Sequence, residues 1–219
     1  FFAVLIPISI ILARSLYITK IKGRSDLTRI SSIPILGIIY ISNRLRRIYS
    51  DKSMFEVSID RLKLKIIGEH KKVFMFTSSV SGEGKSFLSQ HLAISLANKD
   101  TKVILVDFDL RRPSLQKFSL TENHTIGLGD YLIGKAILKD IIYDTKFENL
   151  KLILSGSVTI EPIRLLETSL TSQLIDQLKE KFDYVIIDSP PLSLVADSNY
   201  LLNHCDIALL VVKNEITTK

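Results

Sequence analysis

The sequence predicts a doubly wound, mostly parallel α/β sheet, and three observations carry that prediction. Five short apolar runs, VFMF (73–76), VILV (103–106), LIL (152–154), VII (185–187) and IALLVV (207–212), are continuous rather than alternating, as in parallel strands covered on both faces. Helical patterns separate them, the clearest placing Ile163, Leu166, Leu170, Leu174 and Leu178 on one stripe. Glycines, a lysine and aspartates follow the first, second and fourth runs, at the strand ends where open α/β sheets bind ligands.

The chain divides into an apolar end and interface at 1–19, a basic linker at 20–52 and a globular domain at 53–219. Phe1–Ala13 carries no charge but is shorter than the roughly 20 apolar residues that span a bilayer. Since the chain starts without a methionine, this run reads as the end of a transmembrane helix in a longer protein. The charge follows the apolar run, unlike a cleaved signal peptide, and places the downstream chain on the cytoplasmic side. Residues 1–50 hold eight cations and one anion, a net of +7, whereas the rest holds 21 cations and 22 anions, a net of −1. The excess charge therefore sits beside the apolar end, where anionic lipid attracts it. The near-neutral body has no basic stripe interleaved with aromatics, which excludes nucleic acid as a partner. Cys205 is the single cysteine and the four histidines lack metal-ligand spacing, so disulfides and a resident transition metal are excluded, and a reducing compartment fits.

Gly23, Ser25, Ser31, Ser32 and Pro34 make residues 20–52 read as linker, with one apolar patch, IPILGII (33–39). A helix follows from Ser53 to Ile67, with Phe55, Ile59, Leu62 and Ile66 on one stripe. Ser53 and Glu56 form a capping box at its start.

The first strand runs into TSSVSGEGKS (77–86) and then into a helical FLSQHLAISLA. This is a Walker A loop in its strand–loop–helix setting, so the fold is of the P-loop NTPase type. Ser81, Gly82, Glu83, Gly84, Lys85, Ser86 and Phe87 form the nucleotide-contacting stretch. Glycines let successive N–H groups face phosphate oxygens, and the helix N-terminus adds partial positive charge. Lys85 reaches the β- and γ-phosphates and the Ser86 hydroxyl binds Mg²⁺. The second strand ends in LVDFDLRRP (105–113), whose Asp107 and Asp109 point toward the same edge. The fourth ends in VIIDSPP (185–191), with Asp188 as the Walker B carboxylate. Ser86, Asp107, Asp109 and Asp188 are thus the candidate metal set.

In this order, SSVSGEGKS, VDFDLRRP and VIIDSPP resemble the bacterial tyrosine kinases (BY-kinases) of polysaccharide export, where the acidic pair is called Walker A′. IPILGII is similar to the PVLGVIP linker of the membrane-bound, Wzc-like co-polymerases. The resemblance implies transfer of the ATP γ-phosphate, with Mg²⁺, to tyrosines on neighbouring copies, coupled to capsular or exopolysaccharide polymerisation and export. It implies catalytic roles for Lys85, Asp107 and Asp109, a homo-oligomer, and a kinase domain on the cytoplasmic side of the bacterial inner membrane. Ser81 stands where the MinD and ParA ATPases carry a second lysine, which separates the chain from that branch. Three features depart from the kinase pattern. Arg164 replaces the glutamate of the PNPxELL stretch; Val57, Asp60 and Lys63 stand at the positions of the ring-forming ExxRxxR; and no tyrosine-rich tail follows Tyr200. Tyr131, Tyr143 and Tyr184 lie in apolar sequence and read as core, so the acceptors are expected beyond Lys219. The competing readings are a nucleotide-binding scaffold of the export complex and a MinD- or ParA-like ATPase.

Overall fold

A computed structural model describes residues 20–41, 54–118, 126–156, 162–192, 197–214 and 216–217. The apolar run 1–13 and the Ser53 cap lie outside the described residues. Two compact units divide the chain. One comprises 1–34 with 212–219 and the other 35–211. Within the first, α1 (Arg24–Ile30) follows Gly23, and the Ile21 N–H donates to the Thr217 carbonyl at 2.9 Å. Among the described residues no helix is long and apolar enough to cross a membrane.

The larger unit is built on six strands: β1 (Val73–Ser78), β2 (Val103–Asp107), β3 (Ile142–Asp144), β4 (Leu150–Ile153), β5 (Tyr184–Asp188) and β6 (Ile207–Val211). Their order is β3-β4-β2-β5-β1-β6. Every pairing is parallel except β3 with β4, as the sequence predicts for a doubly wound sheet. β1 and β2 are buried along their whole length, because helices cover both faces. Val73, Met75, Ile104, Val106, Val185 and Ile187 enter one core. It also takes Leu166 of α6 (Pro162–Leu166) and Leu174 and Leu178 of α7 (Ser169–Lys181). Phe74, Phe76, Val103, Leu105 and Ile186 enter the other, against Leu62 and Ile66 of α2 (Met54–Gly68) and Leu92 and Leu96 of α3 (Lys85–Leu96). The period of two along each strand thus divides its residues between two cores.

Four local expectations change. The single stripe from Ile163 to Leu178 is two helices, because Thr168 turns extended and its hydroxyl donates to the Leu165 carbonyl at 2.8 Å. β6 is half exposed along alternate residues, with Leu210 42% exposed, since it is the last strand in the sheet. Tyr131 is buried as expected, but Tyr143 and Tyr184 are only half buried. The apolar patch given to the linker sends Leu36 and Ile39 against the second core, and Lys65 of α2 donates to the Leu36 carbonyl. Three short helices, α4 (Leu128–Leu132), α5 (Leu138–Ile141) and α8 (Asp197–Leu202), complete the unit.

Candidate active site

The carboxyl ends of β1, β2 and β5 meet in the middle of the sheet, which puts the Walker A loop and three aspartates at one edge. Beyond β1 the loop is pinned to the segment after β5. The Leu192 N–H donates to the Ser78 carbonyl at 2.8 Å, and the Thr77 hydroxyl donates to that of Pro190 at 3.0 Å. Inside the loop the Ser78 hydroxyl donates to the Val80 carbonyl at 2.8 Å, and the Val80 N–H donates to the Glu83 carboxylate at 3.0 Å. Glu83 is only 5% exposed, so its side chain shapes the loop from within. Gly82 and Gly84 sit at φ 89° and 100°, a region that strains any residue with a Cβ. Gly84 delivers the chain directly into α3, whose N-terminus has no side-chain cap. Its first-turn N–H groups remain for an anion.

Lys85 is 9% exposed and its ammonium lies among acceptors. It donates to Ser86 Oγ at 3.1 Å and pairs with Asp188 Oδ1 at 3.4 Å and Asp109 Oδ2 at 3.5 Å. The Ser86 hydroxyl is also hydrogen-bonded to Asp188. Asp107 and Asp188 are direct neighbours across the β2–β5 register, and both are fully buried. Asp107 accepts the Asp109 N–H on one oxygen at 3.1 Å, and the Ser114 and Leu115 N–H groups on the other at 3.2 and 3.3 Å. Asp109 Oδ1 accepts the Arg112 N–H at 3.0 Å. The turn after β2 is therefore wound around its own two carboxylates.

The structure brings Lys85, Ser86, Asp107, Asp109 and Asp188 together at one edge of the sheet. Phe87 is different, because its ring packs 5.2 Å from Phe55 of α2 and 4.2 Å from the His91 ring. Ser81 and Gly82 are exposed on the loop. Arg164 is exposed on α6, and Lys63 donates to the Ser95 carbonyl, tying α2 to α3. Ser114 escapes the sequence analysis although its hydroxyl reaches Asp188 Oδ2 at 3.3 Å. A serine in a loop offers no periodicity or motif by which to find it.

Two carboxylates pair with the one ammonium and a third, Asp107, lies beside Asp188, so the ionised cluster carries an excess of negative charge. Burial, then the Asp188 charge, pushes the Asp107 carboxyl up from 3.8 to about 7, against the pull of its three N–H donors. Burial also raises Asp188, opposed by Lys85 and by its bonds with Ser86 and Lys85. Among the described residues no group of three or more His, Cys, Asp or Glu is arranged to hold a metal ion by itself. Mg²⁺ keeps waters and takes one or two carboxylates plus phosphate oxygens rather than an all-protein cage. The surplus negative charge and the Ser86 hydroxyl beside Asp188 fit that cation.

One consequence is a pH-dependent stability in the ligand-free chain. Below 3.8 both folded and unfolded Asp107 are protonated and its contribution is fully present. Between 3.8 and about 7 the folded chain holds a proton that the unfolded chain has released, so stability falls as pH rises. One proton gives a slope of about 1.4 kcal/mol per pH unit. Denaturant titrations from about pH 5 to about pH 7 should show Asp107→Asn flattening the slope. An identical slope in the variant contradicts the raised pKa.

Comparison with known proteins agrees with this fold. The family model described as an AAA domain matches residues 71–218. The tyrosine-protein kinase CpsD of Streptococcus agalactiae serotype III (strain NEM316) is 36% identical over 174 residues, covering 79% of this chain and 74% of the relative. The kinase domain of the Escherichia coli tyrosine kinase ETK superposes with a TM-score of 0.76 at 25% identity, over 85% of this chain and 80% of that one. The Pyrococcus furiosus cell division ATPase MinD superposes less well, with a TM-score of 0.56 at 30% identity, over 64% of this chain and 59% of that one. A Walker A loop facing paired aspartates, on a sheet shared with ETK and in a sequence shared with CpsD, makes this chain a member of the bacterial tyrosine kinase family.

Proposed function

We propose that the chain transfers the γ-phosphate of ATP to tyrosine hydroxyls on other copies of itself, at the cytoplasmic face of a bacterial plasma membrane, in support of capsular or exopolysaccharide polymerisation and export. The observation that carries the reading is the Lys85 ammonium, held between Asp109 and Asp188 at the mouth of a glycine-shaped loop. Polymerisation and export come from the resemblance to the kinases of those systems. The +7 charge of residues 1–50 beside an uncharged run supports the membrane face.

The chemistry breaks the bond between the γ-phosphorus and its bridging oxygen and forms a bond from that phosphorus to the tyrosine oxygen, leaving ADP. Catalysis then rests on positioning and on neutralising charge. The loop N–H groups and the N-terminus of α3 hold the phosphates, and Lys85 turns from its carboxylates toward the β- and γ-oxygens. Bound Mg²⁺ supplies further neutralisation of phosphate charge, with Ser86 and Asp188 as its protein-side holders. Asp109 takes the proton from the tyrosine hydroxyl, because it is the more open of the β2 pair, 5% exposed against 0% for Asp107. Asp107 is filled by three backbone N–H groups and acts by keeping the turn in shape.

The test incubates the full chain with ATP, Mg²⁺, anionic vesicles and a tyrosine-rich peptide, followed by phosphotyrosine detection. Phosphotyrosine dependent on ATP and Mg²⁺ is expected. A chain that binds ATP tightly yet leaves every tyrosine unmodified is a scaffold.

A further inference from the structure

We propose that Ser114 is a positioning residue that locks the aspartate of β5 against the turn after β2, setting the Asp188 carboxylate for Mg²⁺; the proposal rests on the kinase reading above. Ser114 lies in that turn and donates to the aspartates of both strands. Its backbone N–H donates to Asp107 Oδ2 at 3.2 Å and its hydroxyl to Asp188 Oδ2 at 3.3 Å. The next residue fixes it in place. Leu115 donates its N–H to the same Asp107 oxygen at 3.3 Å, and its fully buried side chain sits in the second core. The position of residue 114 is therefore set by the backbone, and only its hydroxyl is free to choose a partner.

Besides its bond with Ser86, Asp188 is held from two sides. Lys85 takes Oδ1 at 3.4 Å and Ser114 takes Oδ2 at 3.3 Å. A carboxylate held at both oxygens cannot rotate, which is the kind of outer support that orients metal-holding groups. When Lys85 turns toward phosphate it gives up its carboxylates, and the Ser114 hydroxyl then remains as a neutral donor that leaves the second lone pairs available. Ser114 is itself exposed, so a serine there is not required to fill the core. An exposed hydroxyl can bond water equally well, and its choice of a buried carboxylate points to orientation rather than to stability.

The experiment compares the full chain with Ser114→Ala, Ser114→Val and Ser114→Thr. Fluorescent ADP is titrated without Mg²⁺ and then across Mg²⁺ concentrations, and kcat and KM for a tyrosine peptide are measured alongside. A hydrogen bond to a charged group is worth roughly tenfold or more in an equilibrium. Ala and Val should therefore raise the Mg²⁺ concentration for half-maximal tightening about tenfold and lower kcat by about the same factor. Metal-free ADP affinity, the peptide KM and the melting temperature should stay as in the parent chain. Thr, which keeps the hydroxyl that its near-isostere Val lacks, should restore the parent behaviour. Parent-like Mg²⁺ dependence in Ala and Val, or a Thr variant as impaired as Val, overturns the proposal. A parent chain that binds ADP with Mg²⁺ but makes no phosphotyrosine ends the kinase reading instead, and the Mg²⁺ titration still decides the role of Ser114.

Discussion

Lys85→Met should lower phosphoryl transfer by roughly 10³-fold, the scale on which removing one preorganised charge donor acts. Methionine preserves the unbranched shape and loses only the ammonium. In the ligand-free chain that ammonium pairs with Asp109 and Asp188, both almost fully buried. Its loss strands two carboxylates in a low-dielectric edge of the sheet, and an unpaired buried charge typically costs about 3–5 kcal/mol unless it is neutralised. Protonation supplies the neutralisation. Burial already raises the Asp188 carboxyl and Lys85 is the largest force opposing that rise, so deleting Lys85 raises it further. The variant should accordingly lose stability more steeply with rising pH than the parent chain. Calorimetry at about pH 5 and about pH 8, with transfer assays on the same samples, reads both effects. A variant that transfers phosphate normally removes Lys85 from the site.

Asp188→Asn should separate activity from stability in the opposite direction. Transfer should fall by about 10²–10³-fold, because the neutral amide neither holds Mg²⁺ nor answers Lys85 electrostatically. Stability at alkaline pH should rise, because the substitution deletes a fully buried charge whose ionisation burial opposes. Asparagine keeps the side chain's shape at the end of β5, so the register with Phe76 and Asp107 is preserved. A more stable and less active protein is the mark of a group retained for chemistry. If both activity and stability collapse together, Asp188 is instead a structural group. Asp109→Asn should follow the activity loss while leaving the turn intact, since an amide oxygen can still accept the Arg112 N–H.

The parts of this fold that sequence reveals are those in which one physical requirement repeats. Five of the six strands are legible as unbroken apolar runs; burial on both faces demands this of VFMF and VILV, which are buried throughout, whereas β6 keeps such a run although alternate residues are exposed. β3 is hidden because its three residues, Ile142–Asp144, are half exposed on an antiparallel edge and too short for a period. The break at Thr168 is hidden because leucines on either side continue the helical stripe while a backbone turn interrupts it. The acidic cluster is legible since glycine, lysine and aspartate at strand ends have few other uses. Within it, rank is not legible. Asp107 and Asp109 look equivalent in VDFDLRRP, but only the folded turn shows Asp107 filled by backbone donors and Asp109 joined to Lys85. Ser114 gains its partner through a loop that closes seven residues after Asp107, and no spacing rule anticipates it.

Phosphate leaving ATP is expected to go to tyrosine rather than to water. The most direct measurement follows γ-labelled ATP consumed by the full chain on anionic vesicles with a tyrosine-rich peptide, and divides the label between phosphotyrosine and free phosphate. Most of the label is expected in phosphotyrosine, with both fractions abolished by Lys85→Met. Label found almost wholly as free phosphate, still dependent on Lys85, contradicts it and makes the chain an ATPase built on the same loop.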